Sequence, residues 1–420
     1  MTDPRILFAE LFNAAVAAAD PARGLAANLP PPPEGRCVVI GAGKASAQMA
    51  AAFEAIWPGP LSGVIVTRHG AGTPCRQIEV IEAGHPIPDA AGLAASQRLL
   101  DAVSGLGPDD LVVALISGGG SALLAAPPEG MSLDDEIAVN RALLASGAPI
   151  GAMNAVRKQL SRIKGGRLAL AAAPARVVSF VVSDVPGDDP AQVASGPTIP
   201  DAGTRAEARA IIDAWRLVLP PAALAHLATA PDDAPRPGDP RLARNRVHVI
   251  ASAARSLEAV AAVARARGIP AVILSDAIEG EARDVALVHA AIAREVVARD
   301  RPFAKPVLLL SGGETTVTLN GPAGRGGRNS EFLLAFAQAI EGVTGIHAFA
   351  ADTDGIDGTD ANAGAFADHT TATRLRARGH DPRALLAGHD AVSAFEALGD
   401  LFVSGPTGTN VNDLRAVLIT

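Results

Sequence analysis

Residues 37–40 (CVVI) form a short apolar run of mostly β-branched side chains that stops abruptly at Gly41-Ala42-Gly43-Lys44-Ala45-Ser46. A run this short and this apolar reads as a strand buried on both faces, as in a parallel sheet, and the glycines let the chain turn sharply into a helix starting near Lys44. Unpaired N–H groups at such a helix start attract anions, and Lys44 adds a mobile positive charge. The layout recurs. A helix is expected over 45–57, strands at 63–67 (GVIVT) and 78–82, a helix over 92–103, a strand at 111–116 (LVVALI), three helical segments up to residue 172 and a strand at 177–182 (VVSFVV). Strands alternating with helices make an α/β, Rossmann-like domain with a mostly parallel sheet.

At ~100 to 200 residues per domain, a chain of 420 residues calls for more than one domain. Residues 229–245 concentrate Pro, Asp and Gly without apolar periodicity, so the expected division is 1–230 and 231–420. A second alternation then follows: strands at 247–251, 271–274, 307–310, 347–350 and 414–419, with helices to residue 267 and over 282–299. The alternating stretch 315–319 reads as a hairpin partner, which makes this smaller second α/β domain a mixed sheet. Residues 5–19 carry helical periodicity, and Pro30 to Pro33 form a stiff connector after it.

Composition limits function. A formal charge of −8 provides no global basic field for nucleic acid or an acidic membrane. Cys37 and Cys75 are too few for a disulfide framework, which points to a reducing cytoplasm. The amino terminus lacks a signal peptide's layout, and no run approaches ~18 uninterrupted apolar residues, so no membrane partner is expected. Aromatics are 3%, so the core must be filled largely by Ala, Val, Leu and Ile.

Chemistry-bearing residues sit in the loops. The turn Gly41 to Ser46 is neither a Walker A, with Val38 at the first glycine's place, nor a full dinucleotide fingerprint, with Ser46 at the third's. The second strand is followed by Arg68 rather than an acid for a ribose, although Arg68 could meet the extra phosphate of NADP. Alone, the turn could be a tight connection with a solvated lysine. Ser117-Gly118-Gly119-Gly120-Ser121 follows a buried strand, and successive N–H groups there can form an anion-binding nest. Its later counterpart, Ser311-Gly312-Gly313-Glu314, adds a carboxylate, or is a glycine-bearing hairpin corner. Asp184, Asp188 and Asp189 follow another strand, where α/β sheets place ligands, and Mg²⁺ needs only one or two such carboxylates beside phosphate oxygens. In 352–360 (DTDGIDGTD) crowded acids, Asp354 among them, call for a metal or a basic partner. Arg325 and Arg328 lie on the loop 324–329 (GRGGRN) and can grip phosphate or carboxylate, or simply be solvated. The basic stretch 154–167 reads as a solvated helix face with Arg157, Ser161 and Lys164 aligned. His85 and the loop 405–412 receive no role from chemistry alone.

Taken together, GAGKAS, GHPIPD, SGGGSALL, NAVRKQLSRIKGGRLA, SDVPGDDPAQVASGPT, SGGETTVT, GRGGRNSE, DTDGIDGTDANAGA and TGTNVNDL, in this order, resemble the class II glycerate 2-kinases, the family with a carboxy-terminal MOFRL domain also labelled hydroxypyruvate reductase of tartrate pathways. The resemblance implies ATP- and Mg²⁺-dependent phosphorylation of D-glycerate at its 2-hydroxyl, in a cleft between two α/β domains. It implies a functional lysine at Lys44 and a functional arginine in GRGGRN, here assigned to Arg325 ahead of Arg328. The chain departs from the family's pattern at Thr359, which follows Gly358 directly. On this reading ATP lies against Gly41, Gly43, Ser117, Gly118, Gly119, Gly120 and Ser121, with Gly312, Gly313 and Glu314 completing the nucleotide contacts. Mg²⁺ sits near Asp189 or Asp354, and Asp189 is the base, with Asp184 open. Alternatives are an NAD(P)H-dependent hydroxypyruvate reductase and a non-catalytic nucleotide or sugar-acid sensor; a homo-oligomer is left open.

Overall fold

The computed structural model describes residues 3–231, 234–319, 321, 323–358 and 360–420. They divide into two compact units, one of 21–250 and one of 251–420 together with the segment ending at Asp20. Asp232 and Asp233 of the expected linker, and Thr359, lie outside the described residues.

The amino-terminal unit is built on β1 (Cys37–Ala42), β2 (Ser62–Arg68), β3 (Ile78–Ala83), β4 (Leu111–Ser117), β5 (Arg176–Val182) and β6 (Arg246–Ala251), in the order β3-β2-β1-β4-β5-β6. The pairs β1–β2, β1–β4, β2–β3 and β4–β5 are parallel. Every residue of β1 and β4 is buried, as continuous apolar runs flanked by helices must be. Val38, Ile40, Val112, Ala114 and Ile116 pack with Leu99 and Val103 of the helix Ala90–Val103. A separate cluster, including Val139, Leu143, Val156, Leu160 and Ile212, joins the helices Leu133–Ala145, Ile150–Gln159 and Arg205–Ala214.

The carboxy-terminal unit contains β7 (Ala271–Ser275), β8 (Gly280–Glu281), β9 (Val307–Ser311), β10 (Thr315–Thr316), β11 (Ile346–Asp352), β12 (Gly364–Asp368), β13 (Leu401–Phe402) and β14 (Asp413–Ile419). Six of them form a sheet ordered β13-β12-β11-β14-β9-β7. It is mixed: β7–β9 is parallel and β11–β14 antiparallel. One face packs on the helices Ala282–Arg299 and Arg328–Ala339, the other on Ala253–Ala266 and the leading helix Pro4–Ala18. The few aromatics concentrate here. Phe8 stacks on Phe349 at 5.7 Å between centroids and Phe12 meets Phe402 edge-on at 5.0 Å, which welds the leading helix to the sheet. Among the described residues no helix is long and apolar enough to cross a membrane.

Three expectations are corrected. The division falls about a strand later than residue 230, because β6 extends the first sheet beside β5 and Asn245 Oδ1 accepts from Val177 N at 2.9 Å. Thr315–Thr316 pairs in parallel with Gly280–Glu281 and is not a hairpin partner of β9. The basic stretch is not a solvated helix face. Its helix ends at Gln159, and Arg157, Lys158, Lys164 and Arg167 are all buried. Lys164 pairs with Glu136 at 2.9 Å, Lys158 with Asp201, and Arg157 Nε donates to Asn140 Oδ1 at 2.9 Å. Spacing along the chain cannot reveal partners so far away in sequence.

Removing one half of a buried ion pair leaves the other charge stranded. Glu136→Ala, which also deprives Ala126 N of its acceptor, should lower unfolding free energy in urea by about 3–5 kcal/mol. The double replacement Glu136→Leu with Lys164→Met should cost much less.

Candidate active site

In the amino-terminal unit the two glycine turns are fastened to each other. Lys44 N donates to Gly118 O at 2.9 Å, Ala45 N to Ser117 Oγ at 3.0 Å, and Ser46 Oγ to Leu115 O at 2.9 Å. Gly43 N donates to Val66 O at 3.1 Å. This corrects the expectation of open amides at 43–45: those donors are satisfied by neighbouring strand ends, so an anion at this turn must be met by the Lys44 side chain. Gly43, at φ +137°, backs onto Ser117 with no room for a Cβ. Gly41 is buried against β4 in the same way.

Gly119 adopts φ +80°, and a Cβ there would come 3.0 Å from Lys44 Cγ and 3.1 Å from His85 Nε2. Lys44 and His85 therefore both rest on the bare backbone of the second turn. Burial pushes the His85 imidazole down to about 4, and the charges of Lys44 and Arg68 act in the same direction. It is neutral at pH 7. Asp89, which caps the helix Ala90–Val103 through Gly92 N at 2.9 Å, steadies the His85 loop and also contacts His69 at 3.0 Å.

The acids of 184–189 divide. The Asp184 carboxylate occupies the space a Cβ on Gly118 would take. Asp189 is exposed and braces its own turn: Oδ1 accepts from Ala191 N at 3.0 Å and Oδ2 from Gln192 Nε2 at 3.3 Å. Asp189, expected as base and metal ligand, thus engages its own turn, and Asp184 is the carboxylate that lies against the glycine turn. Gly120 is buried against Ala194, and Ser121 Oγ lies 2.8 Å from Ser195 Oγ.

In the carboxy-terminal unit a charge centre closes one end of the sheet. Arg328 reaches Asp413 at 2.8 Å, Glu314 at 3.0 Å and Asp352, while Arg415 pairs with Asp413 at 2.5 Å. Burial opposes the Arg328 charge, but Asp413, Asp352 and Glu314 outweigh it and raise its pKa. Burial pushes the Asp352 carboxyl well up, against the pull of Arg328. Asp357 is fully buried and accepts from Asn329 N at 2.9 Å and Ser330 N at 2.8 Å, capping the helix Arg328–Ala339. The basic partner expected for the acidic loop is thus Arg328, with the helix start beside it.

Arg325 is half-exposed, 2.9 Å from Asp360 and 2.7 Å from Glu396. Asp354 Oδ1 accepts from Ile356 N at 2.8 Å, leaving Oδ2 without a partner among the described residues. Gly312 and Gly313 are buried against the backbone of 276–278, where Ile278 N donates to Gly312 O at 3.1 Å. Their bareness serves packing, and of this turn only Glu314 is exposed. A cavity of about 340 Å³ is lined by Thr315, Val317, Gly324, Arg328, Glu331 and His389 among others.

Sequence reasoning left His85, Asn154, Ser195, Asp413 and Arg415 without roles. For His85 the signal was its place in GHPIPD; for Asp413 and Arg415 there was none, since an acid and a base alternating in a strand read as ordinary surface. The unassigned loop 405–412 proves to be a latch, with Val411 N donating to Thr353 Oγ1 at 3.0 Å.

Fold and site define a two-unit α/β protein with glycine turns at strand ends against which charged side chains pack. A model described as a domain of unknown function, DUF4147, matches residues 7–228, and one described as the MOFRL family matches 307–413. The chain is 38% identical to the D-glycerate 2-kinase of Thermotoga maritima, covering 100% of both chains. It is 52% identical to a putative hydroxypyruvate reductase of Agrobacterium vitis, over 99% of this chain and 94% of that one. A crystal structure of the Thermotoga maritima glycerate kinase superposes with a TM-score of 0.88 at 37% identity, covering 99% of each chain. The chain belongs to the DUF4147–MOFRL family, whose curated members include the glycerate 2-kinases.

Gly119→Ala should displace Lys44 and His85 and lower turnover by about a hundredfold while the melting temperature shifts by only a few degrees. His289 supplies a pH test. Burial pushes it down to about 4; its Nδ1 donates to Val285 O at 2.8 Å and its Nε2 accepts from Ser311 Oγ at 2.9 Å. Between about 6.5 and about 4 the unfolded chain binds a proton that the folded one refuses. Stability should therefore fall as pH drops through that window. In His289→Gln the slope, read from urea melts, should shrink by up to about 1.4 kcal/mol per pH unit.

Proposed function

We propose that this chain is an ATP-dependent glycerate 2-kinase that moves the terminal phosphoryl group of ATP to the 2-hydroxyl of D-glycerate. The observation that carries the reading is Lys44, a cation held over the bare Gly119 backbone beside a neutral His85, in a chain matched end to end by relatives named for that activity. Phosphoryl transfer needs positioning and charge neutralisation more than covalent chemistry. Lys44 offers its ammonium to anionic oxygens. Arg325 and Arg328 are the guanidinium candidates, and Arg328 is the more firmly fixed. The Asp184 carboxylate is the candidate to orient the acceptor hydroxyl.

Mg²⁺ belongs to the same proposal. Its preference for oxygen ligands, few of them from protein, fits the Asp184 carboxylate against the glycine turn of the amino-terminal unit. When bound it would neutralise charge on the phosphates. Among the described residues no group of three or more His, Cys, Asp or Glu side chains is arranged to hold an ion, so the protein's share is one or two carboxylates. A cytoplasmic setting is supported by the free thiols of Cys37 and Cys75.

The reductase reading rests on the name of the Agrobacterium vitis relative. Against it, β2 ends at Arg68 rather than an acid, and Ser46 stands in the third glycine's place. Phosphorus NMR of a reaction with D-glycerate and ATP should show 2-phosphoglycerate and no 3-phosphoglycerate. NADH with hydroxypyruvate should give no oxidation. Lys44→Ala should lower kcat about 10²- to 10³-fold with the fold intact. Arg328→Ala should cost both activity and stability, because Asp352 and Asp413 would lose a buried partner, whereas Arg325→Ala should leave stability nearly unchanged. Full kcat in Lys44→Ala would sink the reading.

A further inference from the structure

The hydroxyl proton of Ser121 has one destination, and this fixes what its Oγ can bind. Asn154 is 1% exposed, and its Nδ2 donates to Gln192 O at 3.1 Å, while its Oδ1 accepts from Arg157 Nη1 at 3.2 Å. An arginine only donates and a carbonyl only accepts, so the orientation of this amide is determined. Ser195 Oγ, fully buried at 3.0 Å from Asn154 Oδ1, must therefore donate to it. A hydroxyl carries one proton. At 2.8 Å, Ser121 Oγ is consequently the donor to Ser195, and only its lone pairs remain for anything else.

Two further observations bear on this. The Asp184 carboxylate lies against Gly118, in the same turn as Ser121. An acceptor-only hydroxyl, in a turn against which a carboxylate lies at Gly118, repels phosphate oxygens and suits a hard cation. The partner turn is also conformationally expensive: Ala194 and Ser195 are non-glycine residues at φ +52° and +59°. Gly165 N donates to Ser195 O at 3.0 Å and Gly166 N to Gly196 O at 2.7 Å, holding the chain in a region that L-residues rarely adopt. Buried donors thus impose a strained backbone whose consequence is the place of Ser195 Oγ.

We propose that Ser121 and Asp184 are the oxygen ligands through which the glycine turn takes a divalent cation, and that Ser195 and Asn154 are positioning residues that keep the Ser121 proton turned away from it. The metal role concerns the Ser121 hydroxyl alone; the anion-binding expectation for its turn rests on backbone N–H groups and is separate from it. The inference rests on the phosphoryl-transfer reading for the origin of the cation, which arrives with the nucleotide.

The test uses the full chain with Mn²⁺ as probe, titrated by electron paramagnetic resonance in the presence of ADP, so that binding is read without turnover. Ser195→Ala keeps the left-handed backbone as accessible as before and frees the Ser121 proton. It should weaken Mn²⁺ roughly ten- to a hundredfold, while ADP without metal binds as well as before or better. Ser121→Cys should shift preference from Mg²⁺ toward Mn²⁺ and Cd²⁺, because sulfur favours softer ions; a purely structural role would not change metal preference. Wild-type Mn²⁺ affinity in Ser195→Ala together with unaltered metal preference in Ser121→Cys would overturn the proposal. So would equal weakening of metal-free ADP in Ser195→Ala, which would mean that Ser121 meets the nucleotide or its acceptor directly. If the wild-type chain forms no phosphorylated product from D-glycerate, the kinase reading fails, and the Mn²⁺ titration still reports on the ligands.

Discussion

The hydrogen bonds from Lys44 N to Gly118 O and from Ala45 N to Ser117 Oγ tie the ends of β1 and β4 into one rigid corner. Adjacent parallel strands bring their carboxyl ends level, and α/β sheets place ligands at those ends. Here the amides of Gly43, Lys44 and Ala45 are turned onto neighbouring strand ends, and charged side chains gather over the second turn. Lys44 and His85 rest on Gly119, Asp184 presses on Gly118, and Ser121 is oriented by Ser195. Each contact requires a residue without a Cβ or a residue of one size, which is why a short turn holds three glycines in succession. Three glycines in sequence would be floppy in isolation; packed beneath side chains of one sign and the other, they become the floor of a charged site.

A different constraint governs the carboxy-terminal unit. Asp352, Asp357 and Asp413 are buried together, an arrangement that costs stability unless the charges are met. Arg328 and Arg415 meet two of them, and the amides of Asn329 and Ser330 meet the third. The 324–329 loop and the acidic loop therefore cannot be moved independently. Gly327 sits so close to Asp357 that no side chain fits between them. Arg328 is a structural keystone as well as a candidate for function, whereas Arg325 is bridged to Asp360 and Glu396 at the surface.

The sheet architecture was legible because buried parallel strands announce themselves as unbroken apolar runs with abrupt glycine ends. The glycine turns at the strand ends were legible for the same reason. Polar residues whose partners lie far along the chain were not. Lys158 and Lys164 look like a solvated face until Asp201 and Glu136 are found beside them. β6 was assigned to the wrong sheet because an apolar run declares that it is a strand without declaring its neighbour. Asp189 was preferred to Asp184 since both are acids after one strand, and only the geometry shows which of them caps its own turn.

The two SGG strings make the same point more sharply. LISGGGS at 115–121 and LLSGGET at 309–315 share a buried strand, a serine and paired glycines, and chemistry alone would give them one role. In the first, Ser117 Oγ accepts from Ala45 N, and Gly119 is left half-buried under Lys44 and His85. In the second, Ser311 Oγ is directed to His289, and both glycines are buried against 276–278. A helix histidine and a crossing backbone fill the space that a ligand would need. A glycine turn after a strand is therefore permission for close approach, and its function is decided by what approaches: a cation and an imidazole in one case, another stretch of the same chain in the other.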